Sequence, residues 1–123
     1  LLEKSDVLSV HCGLSEQTKE RFDRRAFDQM KSSAIFINAD RGGIHNEINL
    51  IAALQNKIIW GAGLDVTNPE PMKPDNLLLS MENVAVLPHI GSATVEARNE
   101  MSRLAAFNII QFVRGEPIDN LVR

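Results

Sequence analysis

The stretch "AIFINADRGGIHNEINLIAALQNKIIWGAGLDV", residues 34–66, decides the fold. Its first six residues, "AIFINA", are short, apolar and rich in β-formers, as is "IIWGAGLDV" at 58–66. Between them "NEINLIAALQN" carries Ile48, Leu50, Ile51 and Leu54 at helical spacing, with Asn46 placed to cap the first turn. Strand, helix and strand in one short span are a crossover unit, and such a unit joins parallel strands. Working outward, "DVLSVHC" at 6–12 and "NVAVLP" at 83–88 have the same strand character. Ser15 is expected to cap a short helix within "SEQTKERFDRRAFDQM", with Phe22, Phe27 and Met30 on its buried face. The last strand runs into a long helix from about Thr94 to Arg114, stopped by Gly115 and Pro117, with Val95, Met101, Leu104, Ala105, Ile109, Phe112 and Val113 over a broad face. The class is therefore α/β, a parallel sheet with flanking helices. The segment 67–83 stands apart, because Pro69, Pro71 and Pro74 forbid a regular helix and predict a loop over one end of the sheet.

Composition narrows the partners. The 123 residues are 44% hydrophobic and 24% charged, as in ordinary globular proteins, and 13 basic against 16 acidic residues leave a formal charge of −3. No basic excess points to nucleic acid or an anionic membrane. Cys12 is the only cysteine, which excludes an internal disulfide and any multi-cysteine metal site, so no metal is expected. No apolar run approaches the ~20 residues of a membrane span, and the chain is expected to be soluble, intracellular and cytoplasmic. It opens on "LLEKSDVLSVHC" without Met, which is read as a piece of a longer protein.

In open parallel sheets ligands sit outside the carboxyl ends of the strands, where loops converge. This sequence places His11, Asn38, Asp40, Arg41, Asp65, Glu70 and His89 at or just beyond those ends. Arg41, ahead of two glycines, is either a surface residue in a turn or a planar fork for a carboxylate. Asp65 and Glu70 are either solvated loop carboxylates or partners for an imidazole. His89 is either a helix-start residue bonded to backbone or a proton carrier, and a carboxylate beside an imidazole favours the charged ring. Together, a histidine, a carboxylate and an arginine can protonate a carbonyl oxygen while a hydride reaches its carbon.

Three signatures, "MKSSAIFINADRGG", "GAGLDVTNPEP" and "LPHIGSAT", resemble in that order the D-isomer-specific 2-hydroxyacid dehydrogenases, and most of all their glyoxylate/hydroxypyruvate reductase branch. The resemblance runs from "SDVLSVHC" to "RGEPIDNLV". It implies the second half of a Rossmann-type dinucleotide-binding domain over 1–93, then a long helix and tail over 94–123 that return toward a substrate domain absent from this sequence. It implies that Arg41 binds the carboxylate and carbonyl of a 2-oxo acid, that Glu70 bonds the catalytic histidine, and that His89 is general acid in reduction and general base in oxidation. Asp65 would meet the nicotinamide carboxamide, Gly13, Ala39 and Gly91 would touch the dinucleotide, and Ser92 would lie beside the substrate. The implied cofactor is NADPH or NADH, the implied substrate a short 2-oxo acid such as glyoxylate or hydroxypyruvate, and the implied parent a homodimer. The fragment by itself is expected to be inactive. An alternative on the same scaffold is an NAD(H)-sensing corepressor, which "TNPEP" and the lack of a partner-binding tail disfavour.

Several positions depart from the pattern. Asp40 stands where the family usually has Ala or Ser; alternation along an extended segment is expected to put it on the side opposite Arg41, facing away from the crevice. His45 and Asn46 replace the more common Val and Asp and are read as helix-start residues, His45 non-catalytic. Gly13 replaces a common Pro. His11 is expected to be a packed, hydrogen-bonded residue of its strand. No G-x-G-x-x-G loop occurs in these residues, nor the position that separates NAD from NADP.

Overall fold

The computed structural model describes residues 1–118, 120 and 121. The end of the tail assigned to 94–123, at positions 119, 122 and 123, lies outside the described residues. Four strands, β1 (Val7–Val10), β2 (Ile35–Asn38), β3 (Gly61–Leu64) and β4 (Val84–Val86), form one sheet in chain order, every neighbouring pair parallel. All four coincide with the apolar segments expected to be strands. The pairing sets Val10 opposite Asn38, Asn38 opposite Leu64, and Leu64 opposite Val86, so the strands end level with one another. The following residues leave the sheet along a single edge.

The crossover helices α1 (Arg24–Asp28) and α2 (Glu47–Gln55) pack against each other over a core of Leu8, Val10, Phe36, Ala62 and Leu64 from the strands and Phe27, Leu50 and Leu54 from the helices. Phe36 is fully buried, its ring 5.1 Å from Phe22 and 5.3 Å, edge-on, from Phe27. Burial of such a ring contributes about 1.5–3 kcal/mol. Alternate residues on β1, Val7 and Ser9, are exposed, and Ile35 and Ile37 on β2 are half-buried.

The caps show where local sequence decided the outcome. Asn46 Oδ1 accepts the Asn49 N–H at 3.0 Å, and Thr94 caps α3 (Val95–Arg114) by accepting from Ala97. Gly115 ends α3 at φ 69°, a left-handed conformation that glycine adopts without side-chain clash. Two expectations need correction. Ser15 caps no helix: it closes a hydrogen-bonded turn with Thr18 and Lys19, Glu20 then reverses the chain at φ 49°, and Asp23 caps the much shorter α1. Ile48 is exposed rather than buried, because Leu50, Ala53 and Leu54 form the inward face of α2.

By its contacts the chain forms one unit over Leu1–His89 and a second that begins at Ile90. The second consists chiefly of α3, on which Val95, Met101, Leu104, Ile109, Phe112 and Val113 are exposed. No helix among the described residues is long and apolar enough to cross a membrane.

Candidate active site

The loops after β2, β3 and β4 carry the candidate side chains Arg41, Asp65, Glu70 and His89. Asn38, last residue of β2, is fully buried at an inward position where the strand otherwise places apolar residues. Its Oδ1 accepts the Asp40 N–H at 3.1 Å; its Nδ2 donates to the Arg41 carbonyl oxygen at 2.9 Å and lies 2.9 Å from His45 Nδ1. One amide thus brackets the peptide groups on either side of the Asp40–Arg41 pair. Gly42 then passes so close to β3's loop that a Cβ there would lie 2.1 Å from the Thr67 carbonyl oxygen. The Arg41 loop and the loop that carries Glu70 are in direct backbone contact.

After β3 come Asp65 and Thr67, each 8% exposed. The Thr67 hydroxyl donates to the Pro69 carbonyl oxygen at 2.9 Å, and its N–H lies 3.4 Å from Glu70 Oε2. The Asn68–Pro69 and Glu70–Pro71 bonds are both cis. This tight turn aims Glu70 at the residue that follows β4. His89 has φ 55°, in the left-handed region that non-glycine residues occupy at a cost of about 1–2 kcal/mol. Its Nδ1 is 2.5 Å from Glu70 Oε1, with both side chains about two-fifths exposed, at 41% and 42%. A strained backbone that presents a paired imidazole beyond a strand end makes His89 a candidate functional residue. The hydrogen bond to His89 holds the Glu70 carboxyl below its usual 4.5, and the Thr67 N–H and the charges of His89 and Arg41 act in the same direction. Beside the pair lies a cavity of about 280 Å³ lined by Asp65, Thr67, Glu70, Met72, Leu79 and His89 among others.

The geometry brings Arg41, Asp65, Glu70 and His89 to one edge of the first unit. Gly13 and Ala39 are exposed at the same edge, and a Cβ on Gly13 would meet nothing within 4 Å. Gly91 and Ser92 belong to the start of the second unit, where both are exposed. Two expectations are corrected. Asp40 does not turn away from Arg41: Arg41 Nη1 is 3.9 Å from Asp40 Oδ1 and donates to the Asp40 carbonyl oxygen at 2.7 Å. Beyond Asn38 the chain is no longer a strand, and the bracket made by the Asn38 amide replaces strict alternation. His11 is hydrogen-bonded, to Ser9 Oγ at 2.8 Å, but exposed, just beyond the end of β1, which among the described residues pairs on one side only, with β2. Sequence reasoning gave Asn38 and Gly42 no task. The available signal was an asparagine at an inward-facing strand position.

His45 is 3% exposed, against the edge of Phe36 at 5.8 Å. Asn38 Nδ2 can only donate, so His45 Nδ1 accepts and the ring is neutral, its proton on Nε2. Burial lowers its pKa from the ordinary 6.5 to about 4. An unfolded chain takes up this proton near pH 6.5, whereas the folded one refuses it until about pH 4, so stability falls as the pH drops through that window. At about 1.4 kcal/mol per unit the loss reaches about 3 kcal/mol by pH 4. Urea unfolding at pH 7 and pH 4.5 should show this acid loss in the wild type and a much smaller one in His45→Gln; equal losses would refute it.

Residues 1–91 match the family described as D-isomer specific 2-hydroxyacid dehydrogenase, NAD binding domain. The chain belongs to the D-isomer-specific 2-hydroxyacid dehydrogenase family. It is 49% identical over 122 residues to a glyoxylate/hydroxypyruvate reductase B of Klebsiella pneumoniae, covering 99% of this chain and 38% of that protein. Among solved structures, the TT0316 protein of Thermus thermophilus superposes with a TM-score of 0.94 at 36% identity, over 99% of this chain and 39% of that one. A D-isomer specific 2-hydroxyacid dehydrogenase from Xanthobacter autotrophicus, solved in complex with NADPH and MES, superposes with a TM-score of 0.86 at 32% identity, covering 99% of this chain and 50% of that one. The chain spans 38% of the length of the curated relative. The family's Rossmann-type nucleotide domain accounts for the parallel sheet and for the clustering of polar residues at its carboxyl edge.

Proposed function

We propose that this chain is the catalytic half of the dinucleotide domain of an NAD(P)H-dependent reductase of short 2-oxo acids, glyoxylate and hydroxypyruvate among them. The observation that carries the reading is the His89–Glu70 pair presented at the strand edge with Arg41 near enough for its charge to act on Glu70. The 49% identity to a protein named glyoxylate/hydroxypyruvate reductase supports the substrate class and favours an enzyme over a corepressor.

The cavity beside the pair fits the redox end of a nicotinamide dinucleotide. Met72, Leu79 and Leu87 offer apolar walls to an uncharged ring, and Asp65 and Thr67 offer polar groups to its carboxamide. Exposed Gly13 and Ala39 leave backbone accessible to the rest of the cofactor, and Gly91 is assigned the same task in the second unit. A bound NADPH or NADH supplies the hydride that C2 of the acid receives. This chain's residues do the rest. Arg41 holds the substrate carboxylate with a planar fork of donors, and Ser92 lies beside the substrate. Ionised Glu70 can only accept, so His89 Nδ1 carries a hydrogen toward it and Nε2 is the end that faces chemistry. In reduction Nε2–H gives its proton to the developing alkoxide; in oxidation neutral Nε2 takes it back. The spans 1–93 and 94–123 would be the nucleotide half-domain and the element that returns to a substrate domain in a cytoplasmic, homodimeric parent.

Steady-state oxidation of NADPH or NADH with glyoxylate by the full-length protein tests the reading, and absence of turnover with any short 2-oxo acid would end it. Glu70→Gln keeps an acceptor for His89 and removes the charge; kcat/KM should fall about tenfold or more. Because the Glu70 carboxyl is held below 4.5, its contribution to the pair is present above that pH and is lost only as the pH falls through the lower folded value. A carbon-detected titration of the Glu70 carboxyl with a midpoint at or above 4.5 would contradict the geometry.

A further inference from the structure

Arg41 already has a carboxylate beside it. Its Nη1 donates to the Asp40 carbonyl oxygen at 2.7 Å and stands 3.9 Å from Asp40 Oδ1. The Asp40 side chain is 23% exposed, so its charge is partly removed from water and acts more strongly than an open surface charge would. The arrangement is built rather than incidental. The fully buried Asn38 amide holds the Asp40 N–H with its oxygen and the Arg41 carbonyl with its nitrogen, while His45 Nδ1 accepts from the same nitrogen and fixes which way the amide faces. A flipped amide would set oxygen against oxygen at Arg41, so the backbone of the pair is fixed, and the Arg41 side chain folds back onto the Asp40 carbonyl oxygen beside the carboxylate.

We propose that Asp40 is an internal competitor for the Arg41 guanidinium, weakening the binding of 2-oxo acids and selecting against those that carry a second carboxylate. The inference rests on the 2-oxo acid reading above. The Asp40 carbonyl oxygen takes one Nη1 hydrogen, and the carboxylate, at 3.9 Å, acts by charge: it lowers the positive potential that draws an anion in and repels the incoming carboxylate directly. A dianionic substrate meets that repulsion twice. Proton transfer is left alone, because His89 and Glu70 hold each other. Asp40 is therefore a specificity-determining residue whose effect belongs in KM and not in kcat.

The test compares wild type, Asp40→Asn, Asp40→Ser and Asp40→Glu in the full-length protein at saturating cofactor, with glyoxylate as monoanion and 2-oxoglutarate as dianion, after thermal unfolding has shown which variants are folded. Removing the charge should lower KM for glyoxylate about tenfold in both neutral variants, with kcat within about threefold, as expected for one partly screened charge near 4 Å. The fall in KM for 2-oxoglutarate should be larger. Asp40→Glu should stay near the wild type, since it keeps the charge. Wild-type KM values in a folded Asp40→Asn or Asp40→Ser, or a change confined to kcat, would overturn the inference while leaving the reductase reading intact. Failure of the wild type to turn over any 2-oxo acid would remove the reading itself, and the inference with it.

Discussion

His89→Gln in the full-length protein should lower kcat for glyoxylate reduction by about 10²-fold to 10⁴-fold, the range lost when a general acid is removed. Glutamine keeps a hydrogen-bonding group of similar reach, so a contact to Glu70 can persist while the transferable proton is gone. KM should change little if, as proposed, Arg41 and not the imidazole holds the carboxylate. His89 stands at φ 55°, a region in which histidine is enriched and glutamine is not, so the variant should unfold at a slightly lower temperature than the wild type while remaining folded. Near-normal turnover in a folded His89→Gln would remove the proton-transfer role and reduce the Glu70 contact to a surface ion pair. The exposure of both side chains, near two-fifths, is too high for that contact to be explained as a core-stabilising bridge.

Gly42→Ala should be the most damaging of the small substitutions. The added Cβ would lie 2.1 Å from the Thr67 carbonyl oxygen, 2.2 Å from its carbon and 2.9 Å from the Asn68 nitrogen, all backbone atoms. No rotamer change relieves such a clash, so one of the two loops must move by about 1 Å. Overpacking of this kind costs about 1–3 kcal/mol in stability. The loops concerned are those of Arg41 and Glu70, and a displacement of that size between substrate-binding and proton-transfer groups costs about 10²-fold in rate. Gly43→Ala is the control next door, since its Cβ would meet only the flexible Leu14 side chain, at 3.3 Å. Gly43→Ala should keep activity within about threefold, as expected for a minor repacking. If the two variants behave alike, the Gly42–Thr67 contact does not set the site.

Much of the fold was legible because its signals are local. Each strand lies within a short apolar run, Asn46 and Thr94 cap helices through their own side chains, and Gly115 stops α3 by reaching a φ other residues avoid. The failures were non-local. Ser15 has the chemistry of a helix cap, but Glu20 reverses the chain before a helix can follow, and helix spacing could not tell Ile48 from Leu50 without knowing which side faces the sheet. Arg41, Glu70 and His89 were identifiable as strand-end residues in motifs with a family likeness, yet the pairing of His89 with Glu70 rather than Asp65 needed the turn through Thr67 and the two prolines. Asp40 was misplaced because alternation was extended beyond the end of the strand.

The sequence by itself determined the parallel α/β order, the segments from which the strands come and the residue types that follow them, since periodicity, caps and turn formers act over a few neighbours. Only the tertiary structure decided which of those residues meet. The backbone of Asp40 and Arg41 is bracketed by a buried amide that also meets His45, Gly42 is pressed onto Thr67 from another strand's loop, and His89 is held in a strained conformation against a carboxylate 19 residues away. Those contacts depend on distances between loops brought level by strand register, and no short window of sequence contains both partners.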